Sequence, residues 1–301
     1  MPPASASRRR WIPLIVAAAV LVIAAVALAV GVAISREASQ AAPQPTFTRE
    51  SEPPATSAPT PTPTGPAADT NAYDLSALPV ADVFTLIPAL PVDDDPFGSP
   101  TGLLATPAAG SIPVFAEPGA APVAALPVQL RWGGTTLPVV KREDNWVRVL
   151  VSGRQGTPPE GNPAQLTGWL RAGDVVLTED DTHVEVSLSG RTISIVSSAG
   201  TELVASDFGS GVESTPTPVG RTFIMHTEVM PYGYTRGHPL VYLGVQSPTL
   251  AGFDGADTAV TAFHYHDAHS GVISNGCIRL DAAAIDRLAQ LPAGTPVYIV
   301  G

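Results

Sequence analysis

The chain has 301 residues, 45% of them apolar and 14% charged, with 27 acidic against 16 basic side chains and a net charge of −11 at pH 7. Four basic residues (Arg8, Arg9, Arg10, Arg36) precede Glu37 and every acidic residue lies from Glu37 onward, so the remainder carries 12 against 27, or −15. So acidic a body, with Lys141 as its single lysine, excludes nucleic acid as a partner and disfavours anionic lipid. One cysteine, Cys277, excludes an intramolecular disulfide.

In chain order, residues 1–10 form a basic tail, followed by Trp11 to Ile34, 24 residues without a charge. As a helix this stretch spans roughly 36 Å, enough to cross a hydrocarbon core of about 30 Å. It exceeds the apolar region of a cleaved signal peptide, usually about 7–15 residues, and the three preceding arginines put the N-terminus in the cytoplasm. The expectation is a single-pass membrane protein whose body faces outward; the alternative is cleavage near Ala38–Ala42. Residues 35–72 are rich in Pro, Thr, Ala and Ser, a composition that cannot bury a core and predicts a disordered linker. Residues 73–110 hold proline-broken apolar bursts that predict packing on the adjoining domain, with no assigned fold.

Residues 111–178 read as short strands: Ile112–Phe115, Pro138–Lys141, WVRVLV (Trp146–Val151) and GWLRAGDVVL (Gly168–Leu177). The WVRVLV and GWLRAGDV pair is similar to the end of a bacterial SH3-like β-barrel. Residues 183–301 open with a hairpin turning at Ser189-Gly190 and continue with strands near Thr215–Val229, Leu240–Val245, Ala259–Phe263 and Thr295–Val300. One helix is predicted after Asp281 as N-cap, with Ile285, Leu288 and Leu291 on one face.

The stretch FHYHDAHSGVISNGCIRL (Phe263–Leu280) holds three of six histidines and the one cysteine. A thiol near its usual pKa of about 8.5 is mostly protonated at neutral pH, so a nucleophilic Cys277 needs a base and donors for the oxyanion it creates. His264 closes a strand-like run, where a rigid strand end can aim an imidazole. His266, two residues on, shares that face and is the fallback base. Gly276 lets backbone approach a substrate closely.

SNGCIRL (Ser274–Leu280) resembles the signature of the L,D-transpeptidases, the YkuD-type catalytic domain, and TPTPVGRTFIM resembles an upstream segment of that family. The resemblance covers about His183–Gly301. It implies a mostly β protein, a YkuD-like β-sandwich with a short helix after the cysteine, preceded here by the SH3-like barrel and the transmembrane helix. It further implies peptidoglycan acyl transfer without a cofactor: Cys277 attacks a tetrapeptide stem, expels D-alanine, and passes the acyl group to an amine of a second stem as a 3→3 cross-link. Carbapenem β-lactams are the inhibitors it implies. By the same resemblance His264 is the base, held by the backbone carbonyl of Tyr265; Gly276 and Cys277 amides form the oxyanion hole; and Arg279 orders the loop or pairs a carboxylate. Ser274, Asn275, Tyr232, Tyr234 and His266 are candidate substrate contacts. Asn275 stands where the family usually has histidine. Tyr265 stands where it usually has a small residue and is expected to narrow the pocket, and the interval from His264 to Cys277 is short. Two other readings stay open: a wall-binding protein of the same fold with impaired turnover, and a zinc site made of His264, His266, His269, Asp267 and Cys277.

Overall fold

The computed structural model describes residues 65–301. The expected tail, membrane anchor and most of the linker lie outside the described residues. Among the described residues no helix is long and apolar enough to cross a membrane.

Among the described residues, two β-sheets and one short α-helix make up the fold. The first sheet has seven strands: β1 (Leu103–Pro107), β2 (Ser111–Phe115), β3 (Pro122–Pro127), β4 (Leu137–Arg142), β5 (Trp146–Val151), β6 (Leu166–Arg171) and β7 (Val175–Glu179). Their order is β3-β2-β6-β5-β4-β1-β7. GWLRAGDVVL is thus two strands: a short 3-10 turn over Ala172–Asp174 breaks it, and β7 crosses to pair with β1 at the far edge. The end strands β3 and β7 are not paired with each other among the described residues, so the expected closed barrel is not seen.

The segment before β1 is built into this sheet by single bridges: Val80 to Ala125, Leu86 to Arg154 and Val92 to Leu166. Between them Ala81, Val83, Ile87 and Leu90 are buried in the core beneath the sheet. Order also begins earlier than the expected linker boundary. The indole of fully buried Trp146 needs an acceptor, and donates to the carbonyl of Ala67 at 2.9 Å. Arg171 donates to the carbonyl of Asn71 at 2.8 Å.

The second sheet has ten strands: β8 (His183–Ser187), β9 (Thr192–Ser197), β10 (Gly200–Ala205), β11 (Gly209–Gly211), β12 (Gly220–Glu228), β13 (Leu240–Gln246), β14 (Val260–Tyr265), β15 (Gly271–Ser274), β16 (Ile278–Leu280) and β17 (Pro296–Val300). Their order is β10-β9-β8-β17-β12-β13-β14-β16-β11-β15. Helix α1 (Ala282–Leu288) follows Asp281, whose side chain accepts from the amide of Ala284 at 2.8 Å. Its Ile285 and Leu288 seal one face of the sheet.

Period-two alternation gives the central strands two different faces. Ile224, Val241, Leu243 and Phe263 enter the core under α1, while Phe223 and Met225 enter the core of the first sheet. Polar contacts reinforce this shared packing. Arg221, 5% exposed, holds Asp93 through two hydrogen bonds of 2.7 and 2.8 Å. Thr222 donates to Gln165 at 2.9 Å, and Gln246 donates to the carbonyl of Val83 at 2.6 Å.

Candidate active site

Strands β14 and β16 run parallel in a register that pairs Phe263 with Ile278, His264 with Arg279 and Tyr265 with Leu280. Phe263, Ile278 and Leu280 are fully buried in the core under α1, which turns His264 and Arg279 to the opposite face. One step back, Cys277 lies beside Ala262 and shares that face. The thiol and the imidazole of His264 are thus diagonal neighbours on adjacent strands, a separation of roughly 7 Å between Cβ atoms that side chains can close. Both line a cavity of ≈ 470 Å³ together with Arg279, His266, Asn275, Tyr232 and Tyr234.

The turn before Cys277 is held from within. The buried hydroxyl of Ser274 donates to the carbonyl of Cys277 at 2.5 Å and accepts from the amide of Gly276 at 3.2 Å. The carbonyl of Ser274 accepts from the amide of Val212 at 3.0 Å. Gly276 has φ +111°, and a Cβ there would lie 3.3 Å from the carbonyl oxygen of Pro216. The Ser274 hydroxyl thus shapes the turn while Ser274 also lines the cavity, and the Gly276 amide lies against that hydroxyl.

The sulfur of Cys277 lies 3.9 Å from the carbonyl oxygen of Val260. Cys277 is partly exposed as a residue, yet desolvation dominates its thiol and pushes its pKa up, against smaller pulls from the amide of Ala262 and the charge of Arg279. His264 is pushed the other way, to about 4, mainly because burial disfavours the imidazolium; Arg279 and His266 add repulsion. At neutral pH the pair is therefore a thiol and a neutral imidazole.

The two candidate bases differ in tautomer. Nδ1 of His264 donates to the carbonyl of Tyr265 at 2.9 Å, leaving Nε2 as the free lone pair. Nδ1 of His266 accepts from the amide of Ala268 at 3.0 Å, so its neutral ring carries the proton on Nε2. Of the two rings, His264 alone keeps a ring nitrogen as a free lone pair. The Tyr265 side chain points away from the cavity, stacked on His238 at 4.9 Å and donating to Asp267 at 2.7 Å, so it does not narrow the pocket. Asp267 also accepts from Arg236, and Nδ1 of His269 faces the carbonyl of His266. Among the described residues no three His, Cys, Asp or Glu side chains group as a metal would require.

Arg279 has no ion-pair partner among the described residues, and its Nε is buried without a hydrogen bond. A carboxylate entering the cavity would satisfy it. Tyr232 and Tyr234 stack at 5.6 Å, and Tyr234 meets His264 edge-on at 5.3 Å. Sequence reasoning missed the part of the lining made by Phe84, Trp132 and Tyr242. The available signal was RWGG (Arg131–Gly134): Gly133 and Gly134 both have positive φ, and a Cβ on Gly133 would sit 2.1 Å from the carbonyl oxygen of Met225. The loop Leu250–Thr258 was missed as well. It is fastened by the first sheet, where buried Arg154 donates to the carbonyls of Ala251 at 3.0 Å and Asp257 at 2.6 Å.

Residues 181–299 match the family model YkuD, the L,D-transpeptidase catalytic domain. No curated protein matches the chain. Similar solved structures include a cysteine-to-serine variant of the Enterococcus faecium L,D-transpeptidase, at 19% identity and TM-score 0.30 over 42% of this chain and 55% of that one. They also include Mycobacterium tuberculosis L,D-transpeptidase 1, at 19% identity and TM-score 0.27 over 52% and 71%, and a structure of an L,D-transpeptidase from M. tuberculosis H37Rv, at 15% and 0.30 over 52% and 91%. The chain thus spans little more than half of the Enterococcus protein, and likenesses this weak carry no argument about activity.

Proposed function

We propose that the protein cross-links peptidoglycan stem peptides through a thioester on Cys277, a reading supported by the match of residues 181–299 to the L,D-transpeptidase catalytic domain model. The observation that carries this reading is the shared face of Cys277, His264 and Arg279, with the Nε2 lone pair of His264 on the cavity side and its Nδ1 fixed by Tyr265. The Cys277 thiol gives its proton to Nε2 as sulfur bonds to the carbonyl carbon after the L-centre of a tetrapeptide. The C–N bond to D-alanine breaks, and the imidazolium returns the proton to the leaving amine. The acceptor amine then attacks the thioester, loses a proton to His264, and releases the thiol. Arg279 pairs the carboxylate of the departing D-alanine.

In this reading the uncharged stretch Trp11–Ile34 anchors the protein in the cell membrane, and the proline-rich stretch holds the catalytic domain out toward the wall. Mature protein beginning near Ala38–Ala42 would replace the anchor with a cleaved signal.

The test is intact mass after incubation with a carbapenem: one adduct on the wild type and none on Cys277→Ala, with D-alanine released from tetrapeptide stems. The raised thiol pKa and the engaged Gly276 amide favour a second reading, a wall-binding protein with impaired turnover. Absence of both adduct and D-alanine release would overturn the enzyme reading.

A further inference from the structure

The site face of the second sheet carries two rows that cross its strands. His226 pairs with Tyr242 and Tyr242 with Ala262, and Cys277 lies next beside Ala262; Glu228, Leu240, His264 and Arg279 form the neighbouring row. At about 4.8 Å per strand, Tyr242 is roughly 10 Å from Cys277 and His226 roughly 14 Å. Ala262 is the small residue between, so the cavity continues past it as a trough.

The far end of the trough is an aromatic corner to which the first sheet contributes. Tyr242 and His226 lie side by side at an interplanar angle of 21°, and Trp132 stands across them at 87° and 72°, with centroids 5.6 and 5.5 Å away. Phe84 meets Trp132 edge-on at 6.0 Å. Arg131 already lies over the indole at 5.9 Å, which disfavours a cationic ligand there. The carboxylate of Glu228, 3.4 Å from Nε2 of His226, disfavours an anion. The corner therefore suits a neutral ring that offers C–H bonds to aromatic faces and hydroxyls to His226 and Glu228.

We infer that this corner is a specificity subsite for the sugar ring that bears the donor stem, with Trp132 as its principal contact. The inference rests on the stem-peptide reading. A donor has three residues on the acyl side of the attacked bond, spanning about 10 Å when extended, which reaches Tyr242. A terminal carboxylate paired with Arg279 stays at the β16 end of the trough, so the acyl side of the stem runs toward β13 and β12, and Trp132, packed against Tyr242 and His226, meets the group beyond the peptide.

The test uses the full chain with two donors of identical peptide sequence, one carrying its disaccharide and one free. Turnover of the free tetrapeptide establishes the stem-peptide reading; no turnover of either donor overturns that reading and the subsite together. The wild type is expected to favour the disaccharide donor in kcat/KM by about tenfold, the scale of one good aromatic contact. Trp132→Ala is expected to abolish this ratio chiefly through KM. Phe84→Ala, at a side chain that is 51% exposed and so no threat to folding, should reduce it. A wild-type ratio near one, or a Trp132→Ala loss equal on both donors, would overturn the subsite while leaving the stem-peptide reading intact.

Discussion

Nδ1 of His264 lies 2.9 Å from the carbonyl oxygen of Tyr265, its own neighbour along β14, and this one hydrogen bond decides that Nε2 carries the free lone pair. The strand supplies both the ring and the acceptor that orients it, so the tautomer is fixed without a separate carboxylate. His264→Gln is expected to lower kcat for acylation by about 10²–10⁴-fold, the usual worth of a general base. His266→Gln should cost less than tenfold, because its free nitrogen already carries a proton. Equal losses in the two variants would contradict the assignment.

The pH profile is set by the same pair. With His264 titrating at about 4 and the Cys277 thiol above its ordinary value, kcat/KM should stay level from about pH 5 to 9 and fall only toward pH 4. A preformed thiolate–imidazolium pair would instead show an alkaline limb near the pKa of a charged histidine. Acylation rates measured across that range separate the two.

His264 also makes stability depend on pH. The unfolded histidine titrates near 6.5, so between about pH 6.5 and 4 the unfolded chain takes up a proton that the buried ring refuses. The contribution is full above pH 6.5 and is lost as pH falls toward 4, by on the order of 3 kcal/mol as an upper bound. Urea unfolding at pH 7 and pH 5 should show a drop in the wild type that is smaller in His264→Gln.

Gly276→Ala places a side chain at φ +111°, close to the carbonyl of Pro216. The expected cost is about 1–3 kcal/mol of stability, with a loss of carbapenem acylation larger than that destabilisation explains. Ser274→Ala removes the hydroxyl that joins Gly276 to Cys277 and should slow acylation without preventing folding. Normal acylation by both variants would show that the turn does not need this clamp.

Arg154→Lys keeps the charge but cannot bridge the carbonyls of Ala251 and Asp257 as the planar guanidinium does. Faster amide exchange across residues 250–258 and a kcat/KM lower by about tenfold are expected, although Arg154 belongs to the first sheet. Unchanged exchange in that loop would refute its role as a strut.

What the sequence made legible was whatever depended on local pattern. The strand Trp146–Val151, the Asp281 cap and the face carrying His264 each come from alternation or a capping residue within a few positions. Residues whose role is set by distant partners were not legible. Trp132 and Arg154 reach the site across more than ninety residues of chain, and Val80, Leu86 and Val92 join the first sheet through single bridges with no period to read. Tyr265 was misjudged because its neighbours in sequence do not reveal that β16 turns its side chain away from the cavity.

The stretch that matches the family model begins at residue 181, but the molecule does not divide there. Phe223 and Met225 complete a core whose other members precede that residue, and excision at 181 would strip them bare while orphaning the Arg221 guanidinium from Asp93. The smallest autonomously folding unit should therefore include Ala67 and Asn71, whose carbonyls hold Trp146 and Arg171, and a product cut at 181 is expected to aggregate. Homology and foldability draw different borders in this protein.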